Sequence, residues 1–467
     1  MSNLERQLAE RFGFPAFRIG QEDVIRNFLE GRDVLAVLPT GTGKSILYQF
    51  PKPYYSGAVV IVSPLVSLMM DQVEQLRLKG VKRVVALTSF QSVGERKNTL
   101  RNLHTFDYVF VSPEVMQTEQ VKHALKSLHI GYFVFDEAHC LTQWGYDFRP
   151  DYLRAAEWIH KEFNKPLLAL TATASPQARQ DIKNLLKRPD MVEVVRSVDR
   201  PTIAVESIVV DSESSREKEI VQQITTLSGP GILYTQSRKK AVYYAAQLRK
   251  KGIRAAAYHG GMETMDRTLI QQQFSLGQLD WVCATNAFGM GIHKEDIRQV
   301  IHDHIPTSVS NYLQEIGRAS RDGKQSFATL YYHPDDVSKS VYIATSDIPD
   351  EQDIQMFREM EIGEQKQRIL DYWKTKLDDK HLVELFEGIR NTKQRDIYSL
   401  YNLLTSSRCI RSSLVEAFGE SLSERPEICC SNCTNTLLAK QSLKLKDPSQ
   451  IDNSKSDYST RLAQLFP

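Results

Sequence analysis

A chain of 467 residues, 41% hydrophobic and 25% charged, has the make-up of ordinary folded protein, and its length suggests about three domains. Lys plus Arg number 59 and Asp plus Glu 57, so there is no basic excess to mark a nucleic-acid binder, and any phosphate-tracking groove has to be local. No run approaches the ~18 apolar residues of a membrane span, MSNLERQLAERFGF has no apolar signal core, and six cysteines without even spacing do not form a secreted disulfide framework; the expectation is a cytoplasmic protein with no membrane partner.

In chain order, six short apolar runs come first: VLAVLP (34–39), AVVIVSP (58–64), RVVALTS (83–89), YVFVSP (108–113), YFVFDEA (132–138) and LLALTAT (167–173). Each ends in small, polar or acidic residues, and helix-like stretches such as SLMMDQVEQLRLKG (67–80) lie between them. Strands buried on both faces read as continuous apolar runs, and their alternation with helices predicts a parallel α/β sheet. The pattern restarts after SVDRPTIAV (197–205) with GILYTQ (231–236), AAAYHG (255–260), WVCATN (281–286), QVIHDHIP (299–306) and FATLYYHP (327–334), which predicts a second α/β lobe. Residues 351–417 are charged and helix-like, a cysteine cluster follows at 429–433, and a polar tail rich in Lys and Ser runs from about 438.

The polar ends of the strands carry the chemistry, as expected for open α/β sheets. LPTGTGKS (38–45) joins the first strand to a helix-like segment. In such a loop, formed by Thr40, Gly41, Thr42, Gly43, Lys44 and Ser45, backbone N–H groups cradle phosphates, the lysine reaches the β- and γ-phosphates, and the Ser45 hydroxyl holds Mg²⁺. DEAH (136–139) closes the strand YFVF, placing Asp136 to complete the Mg²⁺ shell and Glu137 to orient and deprotonate the attacking water. YLQEIGRASRDG (312–323) puts Arg318 and Arg321 three residues apart on one helix face. If the lobes face each other, these arginines reach across to the γ-phosphate of ATP as a finger in cis, with Gln314 beside them. The competing readings are a chance Gly-rich turn, a solvated acidic pair and a basic surface helix.

Together these segments resemble superfamily 2 helicases and, within them, the RecQ family, over about residues 8–435. FGFPAFRIGQ (12–21) is similar to the family's motif 0, which implies that Phe14 stacks on adenine while Arg18 and Gln21 contact the nucleotide. IVSPLVSLMMDQ (61–72), with Ser63, and SPE (112–114) are similar to motifs that line the strand path. LTATAS (170–175) resembles motif III, with Thr171 and Thr173 linking ATP to the nucleic-acid site, and ATNAFGMGI (284–292), with Thr285, resembles motif V. CLTQWGYDFRPDY (140–152) resembles the aromatic-rich loop that marks the family. Rings stack on bases of any sequence, so Trp144 and Phe148, with Gln143 and Arg149, are the residues expected to couple DNA contact to hydrolysis; the alternative is that both rings plug the core. The chain departs from the family pattern at Tyr146, His293 and Ser320, where His, Asn and Gly are usual.

The resemblance implies two tandem RecA-like parallel-sheet lobes followed by a small helical zinc-binding domain, an α/β architecture divided at 1–203, 204–344, 345–437 and a tail at 438–467. Cys430-Ser-Asn-Cys433 is a C-x₂-C knuckle, and SRCIRSSLVEAFGE resembles the family's helix carrying the first zinc ligand, Cys409. Cys429 is the expected fourth ligand, although it adjoins Cys430, and both bind one ion only if the backbone turns sharply; the alternative is a set of free buried cysteines. Only 34 residues follow Cys433, so the chain resembles a short family member without a winged-helix domain. The expected activity is ATP-dependent 3′→5′ DNA unwinding in recombination and repair, on single-stranded and forked DNA, by a monomer that works with a single-strand-binding protein. A DEAH-type RNA helicase and a DNA-stimulated translocase with little strand separation are the alternatives; a non-catalytic nucleic-acid-binding scaffold would need a broken site, and Lys44, Asp136, Glu137, Arg318 and Arg321 are all present.

Overall fold

The computed structural model describes residues 3–64, 66–143, 150–289, 294–357, 362–422 and 424–434. Seven strands form the first sheet: β1 (Val34–Val37), β2 (Ala58–Val62), β3 (Val84–Leu87), β4 (Tyr108–Val111), β5 (Ile130–Phe135), β6 (Leu167–Thr171) and β7 (Val192–Val195). They are ordered β3-β4-β2-β5-β6-β1-β7, and every pairing is parallel. The six strands of the second sheet are β8 (Ile203–Val209), β9 (Gly231–Tyr234), β10 (Ala255–Tyr258), β11 (Trp281–Ala284), β12 (Gln299–His302) and β13 (Ser326–Tyr332). Their order is β10-β11-β9-β12-β13-β8, again all parallel.

Both sheets are covered on both faces, which is why their strands read as unbroken apolar runs. Alternate side chains of β5 go to opposite cores: Phe133 and Phe135 join one hydrophobic cluster, and Tyr132 and Val134 the other. In β9, Ile232 and Tyr234 face one cluster and Leu233 the other. Burial of a large apolar side chain contributes about 1.5–3 kcal/mol, so the clusters on the two faces of each sheet contribute strongly to holding its lobe together. Gly231 is required where it stands, because a Cβ there would lie 2.4 Å from the Trp281 ring. Eleven strands fall on the eleven apolar runs; β7 and β8 lie beyond them.

The C-terminal helices do not stand apart from the sheets. Ile397, Leu400 and Leu404, on the helix Asp379–Thr405, and Ile410 and Leu414, on Ile410–Glu416, complete the core of the second lobe. Tyr372, at the end of the helix Glu364–Trp373, is buried in the core of the first. Its hydroxyl donates to Glu157 at 3.2 Å, and its ring lies 4.8 Å below the Arg154 guanidinium. The cysteine segment extends the second sheet at its β8 edge: Val205 N donates to the Cys429 carbonyl (3.2 Å), and Ser431 N to the Val205 carbonyl (2.9 Å). Among the described residues, no helix is long and apolar enough to cross a membrane.

Candidate functional site

The loop after β1 turns back on itself through Gly41 (φ +86°) and Gly43 (φ +72°), a left-handed path that glycine follows without strain. Its shape is held from outside. The Gln21 amide donates to the Thr42 carbonyl at 2.6 Å and the Gly43 carbonyl at 3.2 Å, and the Arg18 guanidinium donates to the Gly41 carbonyl. Arg18 and Gln21 thus both engage the backbone of the 40–45 loop. Phe14 is 45% exposed, its ring free to meet a flat partner. The Lys44 ammonium donates to the Leu38 carbonyl at 3.3 Å, bent over the loop. Burial lowers its proton affinity, and the nearby Glu137 and Asp136 charges oppose that shift. Ser45 begins the following helix, Ser45–Gln49.

Asp136 and Glu137 leave the end of β5 toward the same loop. Burial, then the Glu137 charge, raises the Asp136 carboxyl well above the usual carboxylate range, with Lys44 pulling it back. A cation at this place relieves the strain that burial imposes on the ionised form. Glu137 sits at φ +51°, one of three non-glycine residues in the left-handed region among the described residues. Strain of this kind costs about 1–3 kcal/mol and gathers at functional sites. Tyr152, fully buried, donates its hydroxyl to the Asp136 carbonyl at 2.5 Å and anchors the turn.

The second lobe closes over this centre. Thr40 Oγ1 donates to the Gly317 carbonyl at 2.8 Å, and the Arg321 stem lies 3.5 Å from where a Cβ on Gly41 would be. Arg321 is half-buried, and burial, then the Arg318 and Arg200 charges, pushes its proton affinity down to about 10, so it stays cationic at neutral pH. Arg318 is buried, with one guanidinium nitrogen 3.5 Å from where a Gly289 Cβ would lie. The Gln314 amide donates to Thr173 Oγ1 at 3.0 Å and lies 3.3 Å from His139 Nε2. Thr173 Oγ1 also shares a hydrogen bond with Ser310 at 2.7 Å. His139 is 1% exposed, and burial holds it neutral. If Gln314 donates to Nε2, Nδ1 carries the proton and faces Thr171 Oγ1 at 3.0 Å and the Glu137 carboxylate at 3.4 Å. A continuous polar path thus runs from Glu137 through His139 to Gln314 in the other lobe. Neither His139 nor Ser310 was singled out from sequence, although DEAH contains the first.

Of the residues expected along the strand path, Ser63 follows β2, Thr173 follows β6 and Thr285 follows β11. The Ser63 hydroxyl is buried and has no hydrogen-bond partner among the described residues. Thr171, fully buried, donates to the Thr173 carbonyl at 3.2 Å. Gln143 ends the helix Cys140–Gln143, while Trp144, Tyr146, Phe148, Arg149 and His293 lie outside the described residues. At the far end of the chain, Cys409, Cys429, Cys430 and Cys433 bring their sulfurs within 4.8 Å of one another.

Two family models match the chain: DEAD/DEAH box helicase over residues 18–182, and helicase conserved C-terminal domain over 216–323. A curated relative from Bacillus subtilis (strain 168), "Probable ATP-dependent DNA helicase RecS", is 39% identical over 459 residues, which cover 93% of this chain and 92% of RecS. From the same strain, "ATP-dependent DNA helicase RecQ" is 32% identical over 442 residues, 92% of this chain and 67% of that protein. The chain belongs to the RecQ helicase family. It spans only about half of some longer RecQ proteins, such as that of Haemophilus influenzae (38% identity, 70% of this chain, 52% of that protein). Solved helicases share the fold at low identity: DEAD-box helicase Mss116 has a TM-score of 0.62 at 16% identity (90% of this chain, 96% of that one). Mycobacterium smegmatis Lhr has a TM-score of 0.59 at 20% identity (87% and 58%).

Ser320, where the family usually has glycine, sits at φ +56° and is 2% exposed. The left-handed backbone costs a non-glycine residue about 1–2 kcal/mol, and the hydrogen bond shared by the Thr202 and Ser320 hydroxyls offsets part of it. Removing the hydroxyl without relieving the backbone should therefore hurt most. Ser320→Ala is expected to be less stable than Ser320→Gly by about 1 kcal/mol in urea unfolding; equal stability of the two variants would contradict the strained turn.

Proposed function

We propose that the chain is an ATP-dependent 3′→5′ DNA helicase that moves along single-stranded DNA and unwinds duplexes in recombination and repair. One observation carries the reading: the Lys44 loop, the Asp136–Glu137 pair and Arg321 converge from two lobes on a single cleft. ATP held there touches both lobes, and its loss after hydrolysis removes the anion between them, so each turnover changes how they meet. Lys44 binds phosphate charge, Glu137 aligns and deprotonates water, and Arg318 and Arg321 stabilise charge as the γ-phosphoryl leaves. The path through His139, Thr173 and Gln314 carries the state of Glu137 to the second lobe. Ser45 and Asp136 offer the hydroxyl and carboxylate oxygens that Mg²⁺ prefers, and Mg²⁺ when bound neutralises the β- and γ-phosphates. Phe14 is assigned to the adenine, with Arg18 and Gln21 bracing the loop beside it, and Gln143, Trp144, Phe148 and Arg149 to base contact.

DNA is preferred to RNA as the track because the relatives at up to 39% identity are named DNA helicases. Among solved neighbours, Lhr is bound to ssDNA and Mss116 to ssRNA, so the fold alone supports either. Comparing ATPase stimulation by single-stranded DNA and by RNA of the same length decides: stronger stimulation by RNA would replace this reading with the DEAH-type RNA helicase. Forked DNA and a single-strand-binding protein are the proposed partners of a cytoplasmic monomer. The functional units follow the divisions 1–203, 204–344 and 345–437, with a tail at 438–467.

The cysteine cluster is assigned to one structural Zn²⁺. Cys409 Sγ lies 3.7 Å from Cys429 Sγ and 3.9 Å from Cys430 Sγ. These separations match the edge of a tetrahedron of sulfurs at about 2.3 Å from a shared centre. Four thiolates are a donor set zinc prefers, and Cys429 fills the fourth place despite adjoining Cys430. Metal analysis of the purified chain is expected to give one zinc per molecule, with zinc lost and thermal stability lowered in Cys409→Ser and Cys430→Ser. A zinc-free parent protein would rule the site out, and full occupancy in Cys429→Ser would remove that residue from the ligand set.

A further inference from the structure

The segment 197–202, SVDRPT, joins the last strand of the first sheet to the first strand of the second. A linker between two motor lobes needs only length, yet this one places a guanidinium where both lobes meet. Arg200 Nη1 donates to the Thr40 carbonyl at 3.1 Å and the Gly317 carbonyl at 3.3 Å, with Thr40 Oγ1 at 3.4 Å. Nη2 donates to the Ala319 carbonyl at 3.2 Å and the Ser320 carbonyl at 2.9 Å. The Gly317 carbonyl also accepts the Thr40 hydroxyl, so loop, linker and turn share one knot of hydrogen bonds.

The acceptors are not incidental. The helix Val309–Ile316 ends at Gly317, and the carbonyls after its last turn lack intrahelical donors and carry the negative end of its dipole. The next residues include Arg318 and Arg321. Orienting those two side chains requires the turn at 317–320 to be fixed, yet it contains the left-handed Ser320. Arg200 ties three of its carbonyls, and Thr202 holds the Ser320 hydroxyl. Arg200 is itself fixed. Its own carbonyl accepts from the buried Arg411 guanidinium at 2.9 Å, and Asp199 pairs with Arg411 at 2.5 Å. Holding a third cation near Arg318 and Arg321 is unfavourable, and burial lowers the proton affinity of Arg200. A planar fork satisfies several carbonyls at once, which an ammonium cannot.

We propose that Arg200 is a positioning residue for ATP hydrolysis, whose guanidinium sets the turn carrying Arg318 and Arg321 against the loop at Thr40 and Gly41. It does not touch the nucleotide; it acts through Arg321. This inference rests on the reading of Arg321 as the arginine finger.

The test is a double-mutant cycle in the full chain, using Arg200→Ala, Arg321→Ala and the pair. Steady-state ATPase with saturating single-stranded DNA gives kcat and KM, a fluorescent ADP analogue gives nucleotide affinity, and thermal melting reports folding. Misplacing a reacting group by about 1 Å can cost on the order of a hundredfold in rate, so Arg200→Ala is expected to lose about ten- to hundredfold in kcat. Nucleotide affinity should change by less than about threefold, because the binding groups remain. In the Arg321→Ala background the same substitution should cost less than about twofold, since the group it positions is gone. An equal loss in both backgrounds overturns the proposal, as does an unchanged kcat with only a lower melting temperature. If Arg200→Ala does not fold, the cycle runs with Arg200→Lys, which keeps the charge but not the fork and should still lose about threefold or more; an unchanged kcat in that variant also overturns it. An unchanged kcat in Arg321→Ala alone identifies instead a failure of the finger assignment.

Discussion

Lys44→Ala is expected to abolish ATP hydrolysis and DNA unwinding while the protein stays folded. The ammonium donates to the Leu38 carbonyl and lies within electrostatic reach of Asp136 and Glu137 in its own lobe and of Arg321 in the other. Removing one such preorganised group costs on the order of 10²–10³ in turnover, and loss of the contacts it orders adds to that. The side chain makes one backbone hydrogen bond, at 3.3 Å, and burial already disfavours its charge, so the fold has little to lose. ATPase rates and circular dichroism check this together. A variant that retains more than a small residual rate would contradict the assignment of the loop.

Arg321→Ala should leave nucleotide binding largely intact and cut turnover at saturating ATP by about 10³. The residue comes from the second lobe, against Gly41, and remains cationic because even its lowered affinity for the proton is far above neutral pH. Its contribution appears only when the lobes are closed over substrate, so it belongs to kcat. Arg318, more deeply buried and near Gly289, is expected to affect coupling to DNA as well as turnover. A rise in KM with unchanged kcat for Arg321→Ala would place the residue in ground-state binding instead.

Much of the fold was legible because burial on both sheet faces leaves a plain signature. Runs such as YFVF and VVIV contain no polar residue to interrupt them, and all eleven became strands. The two strands that escaped lack that signature. Val192–Val195 has side chains that alternate toward solvent at the sheet edge, with Glu193 pairing outward to Arg179 and Lys183. Ile203–Val209 is interrupted by Glu206, which is 3% exposed and accepts from Thr329 Oγ1 at 3.2 Å. A buried carboxylate satisfied across the sheet looks, in sequence alone, like the end of a strand.

The site was legible by motif and not by contact. Lys44, Asp136 and Arg321 could be named as candidates from the loops that carry them, because phosphate and Mg²⁺ chemistry restricts the residue types, and the structure brings the three together. Which surfaces of the two lobes meet cannot be read from periodicity. Gln314 and Thr173 are 141 residues apart in the chain, and the pairing of Thr40 with Gly317 spans 277. His139, although inside DEAH, and Arg200 were not singled out for the same reason: the cross-lobe partners of a buried imidazole and a linker arginine depend on what the other lobe presents. The C-terminal helices likewise announced themselves as helices, but not that Tyr372 would dock on one lobe while Ile397 and Leu400 completed the other.

The most direct test of a DNA-tracking motor powered at the inter-lobe site is unwinding of a short duplex bearing either a 3′ or a 5′ single-stranded tail, with ATP and Mg²⁺, by the parent protein and by Lys44→Ala. Strand separation of the 3′-tailed DNA by the parent protein is expected, with little of the 5′-tailed DNA and none of either by the variant. Equal unwinding of both tails, or unwinding by Lys44→Ala, would contradict this reading.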